Sequence, residues 1–200
     1  MSTIKSNNDN QLHYESTDMG NMNRFVDQYR DTLKSTGSPS SWFIWDGIRW
    51  KYFSDNTQAT QKAFEVVKSI EAEVLASNDI FRKQELLKWS KVSQSDSKIR
   101  SMINMASKHR DIVVSMSDFD KDINLINCLN GVVDLKTKTL LDNQKHRLLS
   151  KLANVSYDPK AKAPLFINFM NQIFGNDREL IQWVQRALGY SLTGSVSEQK

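Results

Sequence analysis

Residues 42–53 read Trp42-Phe-Ile-Trp-Asp-Gly-Ile-Arg-Trp-Lys-Tyr-Phe53, two aromatic-rich runs joined by Asp-Gly. Aromatic and β-branched residues suit the pleated surface of a sheet, and Asp-Gly tolerates the positive φ angles of a two-residue hairpin loop. The stretch predicts a β-hairpin with Asp46-Gly47 at its tip. Trp45 then opposes Ile48 and Phe43 opposes Trp50 on one face, with Trp42, Ile44, Arg49 and Lys51 on the other. One face must enter a core, because an isolated two-stranded hairpin is barely stable in water.

Working outward, the periodicity on both sides is helical before it shortens again. Upstream, Met22, Phe25, Val26, Tyr29 and Leu33 recur at helix spacing from Asp18, and Gly37-Ser38-Pro39 closes that segment. Residues 1–17 are polar and aperiodic, so a disordered arm or linker is expected there. Downstream, a helix over 57–76 carries Ala63, Val66, Val67, Ile70 and Val74 behind a cap at Asp55 or Thr57. Asp79 caps a segment with Phe81, Leu86, Leu87 and Trp89, and Ser95 caps one with Ile99, Met102, Ile103 and Ala106. The short apolar runs 125–129, 132–135 and 139–141, broken by Asn130-Gly131 and 136–138, predict a small antiparallel meander. Pro164 opens a helix with Leu165, Phe166, Phe169, Met170, Ile173 and Phe174 inside. Asp177 caps a last helix with Leu180, Ile181, Val184 and Leu188 inside and Gly189 at its end. The expected fold class is α+β, predominantly α-helical: a helical domain with an N-terminal β-hairpin and a small antiparallel β-meander.

Composition removes several function classes. With 200 residues, 39% hydrophobic, 7 Gly and 3 Pro, the chain can build an ordinary core without crosslinks. A single cysteine, Cys128, cannot make an internal disulfide, the first twenty residues lack an apolar stretch, and no run approaches the roughly 20 apolar residues of a membrane span. A cytoplasmic protein without membrane contact is expected. The net charge is +4, distributed in blocks: 12 Lys/Arg against 7 Asp/Glu over 49–110, 1 against 5 over 111–135, and 7 against 2 over 136–162. Basic blocks of this kind suit a phosphate backbone.

Three kinds of chemistry can be tested on the residues. No Gly-rich loop ends in Lys-Ser/Thr, and one Cys with isolated His13, His109 and His146 offers no zinc-ligand spacing, so neither a nucleotide cradle nor a metal site is expected. Asp118-Phe-Asp120-Lys-Asp122 fails as a calcium loop because Ile123 and Leu129 stand where Gly and Glu are required. On a strand continuing from Ile112, Asp118 and Asp120 would face one way, so a metal-dependent primase-like nucleotidyl transferase remains an alternative. Nucleic-acid contact points to Arg49 and Lys51 on the aromatic hairpin, where rings could stack on unpaired bases, and to Arg82, Lys83, Lys88, Lys91, Lys98 and Arg100 on the helices. A stand-alone DNA-binding module is the third reading.

The ordered motifs carry a further signal. Thr17-Asp-Met-Gly-Asn21 precedes a helix and is followed by Trp45-Asp-Gly-Ile-Arg-Trp50 and Leu125-Ile-Asn-Cys-Leu-Asn-Gly-Val-Val-Asp-Leu135. Tyr157-Asp-Pro159 with Pro164, and Leu188-Gly-Tyr-Ser-Leu-Thr-Gly194, complete the series. Together they resemble the domain preceding the helicase in phage, plasmid and poxvirus primase-helicases. Met22 and the 136–138 turn depart slightly from the usual pattern of that family. The resemblance implies that 18–194 is this domain and that 195–200 begins a linker to a superfamily 3 AAA+ ATPase absent from the chain. It further implies a non-catalytic adaptor that positions subunits and DNA in replication of a mobile genetic element. Its parent would be a DNA helicase, with ATP and Mg confined to the missing motor and no cofactor here. Expected partners are DNA and, through the full-length protein, further copies in a ring.

Overall fold

Thr17 opens the first helix as the cap geometry requires: its hydroxyl accepts the Gly20 N–H at 3.0 Å, and α1 runs Asp18–Tyr29. A computed structural model describes residues 13–197 of the chain. The arm expected over 1–17 lies outside the described residues as far as residue 12, as do residues 198–200 of the tail. The chain divides into two units, one of Met1–Phe43 and Phe53–Val114, the other of Ile44–Tyr52 and Ser115–Lys200. The fold class is α+β and mostly helical, with two three-stranded sheets.

In the first unit the apolar stripes behave largely as expected. In α2 (Thr57–Ala76) the buried positions are Ala59, Ala63, Val66, Val67, Ile70 and Val74, and α2 packs on α1, α3 (Ile80–Ser93) and α4 (Asp96–Ala106). Ile99, Met102, Ile103 and Ala106 of α4 are buried too. Two expectations need correction. α1 ends at Tyr29, and Leu33 goes to a strand, β1 (Leu33–Ser35), instead of a fourth helical turn. The reason is a distant partner: Ser35 N–H donates to Ile112 O at 3.0 Å and its carbonyl accepts the Val114 N–H at 2.9 Å, a parallel bridge invisible to local periodicity. In α3 only Leu86, Ser90 and Ser93 are buried, whereas Phe81 is 81% exposed and Leu87 is exposed as well. Part of that inner face is polar: Ser93 Oγ accepts the Asn21 side-chain N–H at 2.9 Å, and Trp89 donates its indole N–H to Asn21 Oδ1 at 2.9 Å.

The hairpin forms as β2 (Trp42–Trp45) and β3 (Trp50–Phe53), which follow β1 in one sheet, but its corner sits one residue later than expected. Asp46 donates its N–H to Arg49 O at 3.0 Å, while its Oδ1 accepts the N–H groups of Ile48 at 2.9 Å and Arg49 at 2.8 Å. Asp46 is thus a flanking residue, with Gly47 and Ile48 at the corner. Only Gly47 takes a positive φ there, +103°, the requirement of a Gly-first corner and not of a turn with two left-handed residues. Trp45 consequently meets Trp50, ring centroids 5.7 Å apart, in place of Ile48.

In the second unit β4 (Leu125–Cys128), β5 (Gly131–Asp134) and β6 (Thr139–Leu141) make the expected meander, with Ile126 opposite Val133 and Val133 opposite Leu140. Gly131 has φ +148°, and a Cβ on it would lie 2.6 Å from Leu141 O, so glycine alone fits between the strands. The hairpin tip joins this unit: Trp50 donates its backbone N–H to Leu149 O at 2.8 Å and its indole N–H to Lys145 O at 2.8 Å. Pro164 and Asp177 start α5 (Pro164–Ile173) and α6 (Arg178–Ser191) as expected, although α6 runs two residues past Gly189. Their apolar stripes are a larger departure, since in α5 only Met170 is buried and in α6 no residue is.

Candidate nucleic-acid interface

The eight basic residues expected to face DNA fall into separate groups according to what their charges already touch. Arg82 is a fastener. Its side chain is 13% exposed, its Nη1 lies 2.9 Å from Glu85 Oε2 and 3.4 Å from Ser16 Oγ, and its Nη2 donates to Tyr14 O. The Ser16 hydroxyl and the Arg82 guanidinium hold the Glu85 carboxyl below the usual carboxylate range. Burial, with the Asp27 carboxylate to which Tyr14 donates, pushes the Tyr14 phenol up to about 12. Residues 14–16 are tied to α3 by these contacts.

Lys98 is a second fastener. Its Nζ sits 2.7 Å from Asp18 Oδ1 and 5.2 Å from the Trp89 ring centroid, pinning α4 to the first turn of α1. Arg100, by contrast, is well exposed and pairs with Asp96 one turn earlier at 2.9 Å, a contact that solvent screens. Lys88 and Lys91 are exposed at i, i+3 on α3, and Lys83 is half-buried. Of the residues expected to face DNA in this unit, Lys88, Lys91 and Arg100 point outward.

On the hairpin, Lys51 is exposed and Arg49 half-buried, with the Arg49 Nη1 donating to Ser150 O at 3.4 Å. The stacking expectation changes more. Trp42, Phe43 and Trp50 are each at most 2% exposed and have no face to offer a base. Tyr52 is the one ring of the hairpin among the exposed large apolar groups. A basic neighbourhood that the expected set omitted lies beside Arg49: Asn127 Nδ2 donates to both Ile48 O (3.1 Å) and Lys151 O (3.2 Å), which brings Lys151 next to the hairpin tip. The excess of Lys and Arg over 136–162 was the available signal.

The acidic segment does not form the strand that would align Asp118 with Asp120. Ser115 caps a 3₁₀ turn over Met116–Asp118, and Asp120 takes a left-handed φ of +52°. Asp118 Oδ2 accepts the Ser115 N–H at 3.1 Å and its Oδ1 faces Lys121 Nζ at 3.3 Å. Asp120 Oδ1 accepts the N–H groups of Ser150 (2.8 Å) and Lys151 (3.3 Å), and its Oδ2 accepts the Ser150 hydroxyl. Asp122 Oδ1 accepts the Asn124 N–H at 3.0 Å. Each carboxylate closes a turn or joins two loops. Among the described residues no group of three or more His, Cys, Asp or Glu is placed to hold a metal ion, and none of the helices is long and apolar enough to cross a membrane.

A family model described as D5 N terminal like matches residues 22–175, from within α1 to just beyond α5. No curated protein matches the chain.

Proposed function

The chain belongs to the D5 N-terminal-like family, the region preceding the helicase domain in phage and poxvirus primase-helicases, and from that premise we propose that it is a non-catalytic adaptor in DNA replication. It positions subunits and DNA for a downstream ATPase. The match over most of the chain carries this reading, because a domain kept in register with a motor must offer surfaces and need not offer a reaction centre. The outward basic residues of α3 and α4 supply a surface suited to a phosphate backbone, and the engaged carboxylates of 118–122 supply turns. DNA contact of this type is electrostatic and therefore weak at physiological salt.

Titration of single-stranded DNA against the chain at several salt concentrations tests the proposal. Affinity is expected to fall steeply with salt. Lys88→Ala with Lys91→Ala is expected to weaken binding uniformly across sequences and to lower the salt slope by about 1 for each phosphate that is no longer neutralised. Lys98→Ala is expected to loosen α4 from α1 instead, reducing stability while barely altering that slope. A sequence-selective complex insensitive to salt would replace the adaptor with a stand-alone DNA-binding module.

A further inference from the structure

We propose that the cavity between the end of α6 and the segment entering β4 holds one unpaired guanine nucleotide. The inference rests on the DNA reading above and adds a place where a base is recognised. The cavity measures about 490 Å³, within the usual range of small-ligand sites, and its lining lies wholly in the second unit. Gly194 joins the two sides, its N–H donating to Ile123 O at 2.9 Å. A Cβ on Gly194 would lie 3.0 Å from the Ile123 Cβ, so the chain leaving α6 rests directly on the segment before β4.

The polar lining is rich in acceptors. Asn127 is 5% exposed, and its Nδ2 donates to Ile48 O and Lys151 O, which fixes the amide and leaves an enclosed Oδ1 with no hydrogen-bond partner. A buried oxygen in that state is costly and calls for a donor. Asp122 commits Oδ1 to the backbone and side-chain N–H groups of Asn124, at 3.0 and 3.4 Å, and its other carboxylate oxygen adds a second acceptor. α6 ends at the cavity without a basic residue in its last turn, so its carbonyl end adds negative potential. Lys151 is the basic member of the lining, and Arg49 stands beside it, its Nη1 donating to Ser150 O at 3.4 Å. An amine would suit the acceptors but face the Lys151 ammonium, and inorganic phosphate would suit Lys151 but face the Asp122 carboxylate. A nucleotide separates the two demands, with its phosphate at the basic edge and its base against Leu125, Leu149 and Leu192. Guanine fits the acceptors because its N1–H and N2–H donors adjoin on one edge, which no other DNA base offers.

Calorimetric titration of the full 200-residue chain with each of the four deoxynucleoside monophosphates, up to about 5 mM, tests the site. dGMP is expected to bind about tenfold or more tightly than dAMP, dCMP or dTMP, the discrimination of one well-placed pair of base contacts. Asp122→Asn keeps the Oδ1 acceptor for Asn124 and is expected to remove that preference. Lys151→Ala is expected to weaken all four nucleotides alike, and the thermal midpoint stays unchanged in both variants. An all-thymine oligonucleotide and the same strand with one central guanine separate the sources of the ligand. Tighter binding on adding the guanine supports a site read on a DNA strand, and dGMP selectivity without that gain supports a site for the free nucleotide. Salt-sensitive binding of the thymine strand, with neither dGMP selectivity nor a gain from the guanine, would overturn the inference and leave the DNA reading standing. dGMP selectivity with no strand binding would do the reverse. Four nucleotides bound alike, or dGMP selectivity intact in Asp122→Asn, would also overturn the inference.

Discussion

Arg24→Ala is expected to lower the free energy of unfolding by about 3 kcal/mol, the low end for breaking a buried ion pair, because the Glu73 side chain is 25% exposed and can be hydrated. The Arg24 side chain is 0% exposed. Its Nε and Nη2 each lie 2.6 Å from a Glu73 oxygen, giving a bidentate pair between α1 and α2. Nη1 donates to Glu15 O at 3.0 Å and to Asn21 Oδ1 at 3.4 Å, and Nη2 also reaches Tyr14 O at 3.3 Å. All five guanidinium N–H groups thereby find acceptors, and the Tyr14 ring centroid lies 5.0 Å from the guanidinium carbon. Alanine would leave the Glu73 carboxylate unpaired and open a cavity in the stripe of α1. Lysine retains the charge but has three donors without the planar fork, so Arg24→Lys should recover less than half of the loss. Urea unfolding of the three proteins checks the order wild type, Lys, Ala. Equal stability of Ala and wild type would show that the pair contributes nothing net.

Trp50→Ala should cost a comparable amount, about 3–5 kcal/mol, through a different mechanism. The indole is 1% exposed and packs against Trp45 at 5.7 Å and Phe119 at 6.5 Å between ring centroids, so its removal empties the middle of the second unit. It also deprives Lys145 O of its indole donor. Trp50→Phe separates the two effects: most of the ring packing survives, the hydrogen bond does not, and a loss of roughly 1–2 kcal/mol is expected. A Phe variant as unstable as the Ala variant would assign the site to the hydrogen bond instead of to packing.

The helices were legible where one face alone explains the pattern. The stripe of α2 and the cap at Asp79 needed no information beyond their own segments. Misreadings arose where a distant group intervened. Leu33 fits the period of α1, but Ser35 is claimed by the backbone around Val113, some eighty residues on. At the hairpin, the Asp46 carboxylate captured two backbone N–H groups and moved the corner by one residue. Arg82 and Lys98 read as solvated positives because their partners, Tyr14, Ser16 and Asp18, come from a different stretch of chain. Lys88, Lys91 and Arg100 kept the exposure that their spacing suggested. For α5 and α6, amphipathic pattern identified the helices correctly but could not say whether this chain supplies the surface they cover.

On the proposed reading the chain works through its surfaces, and Asp118 and Asp120, whose carboxylates accept the Ser115 and Ser150 N–H groups, hold turns and loops. Template-directed nucleotide incorporation by the purified chain, in Mg²⁺ and in Mn²⁺, probes that view most directly. No incorporation above a protein-free control is expected, with Asp118→Ala and Asp120→Ala indistinguishable from the parent. Metal-dependent primer synthesis by the parent, lost in both variants while they remain folded, would place a reaction centre in this domain and contradict the account.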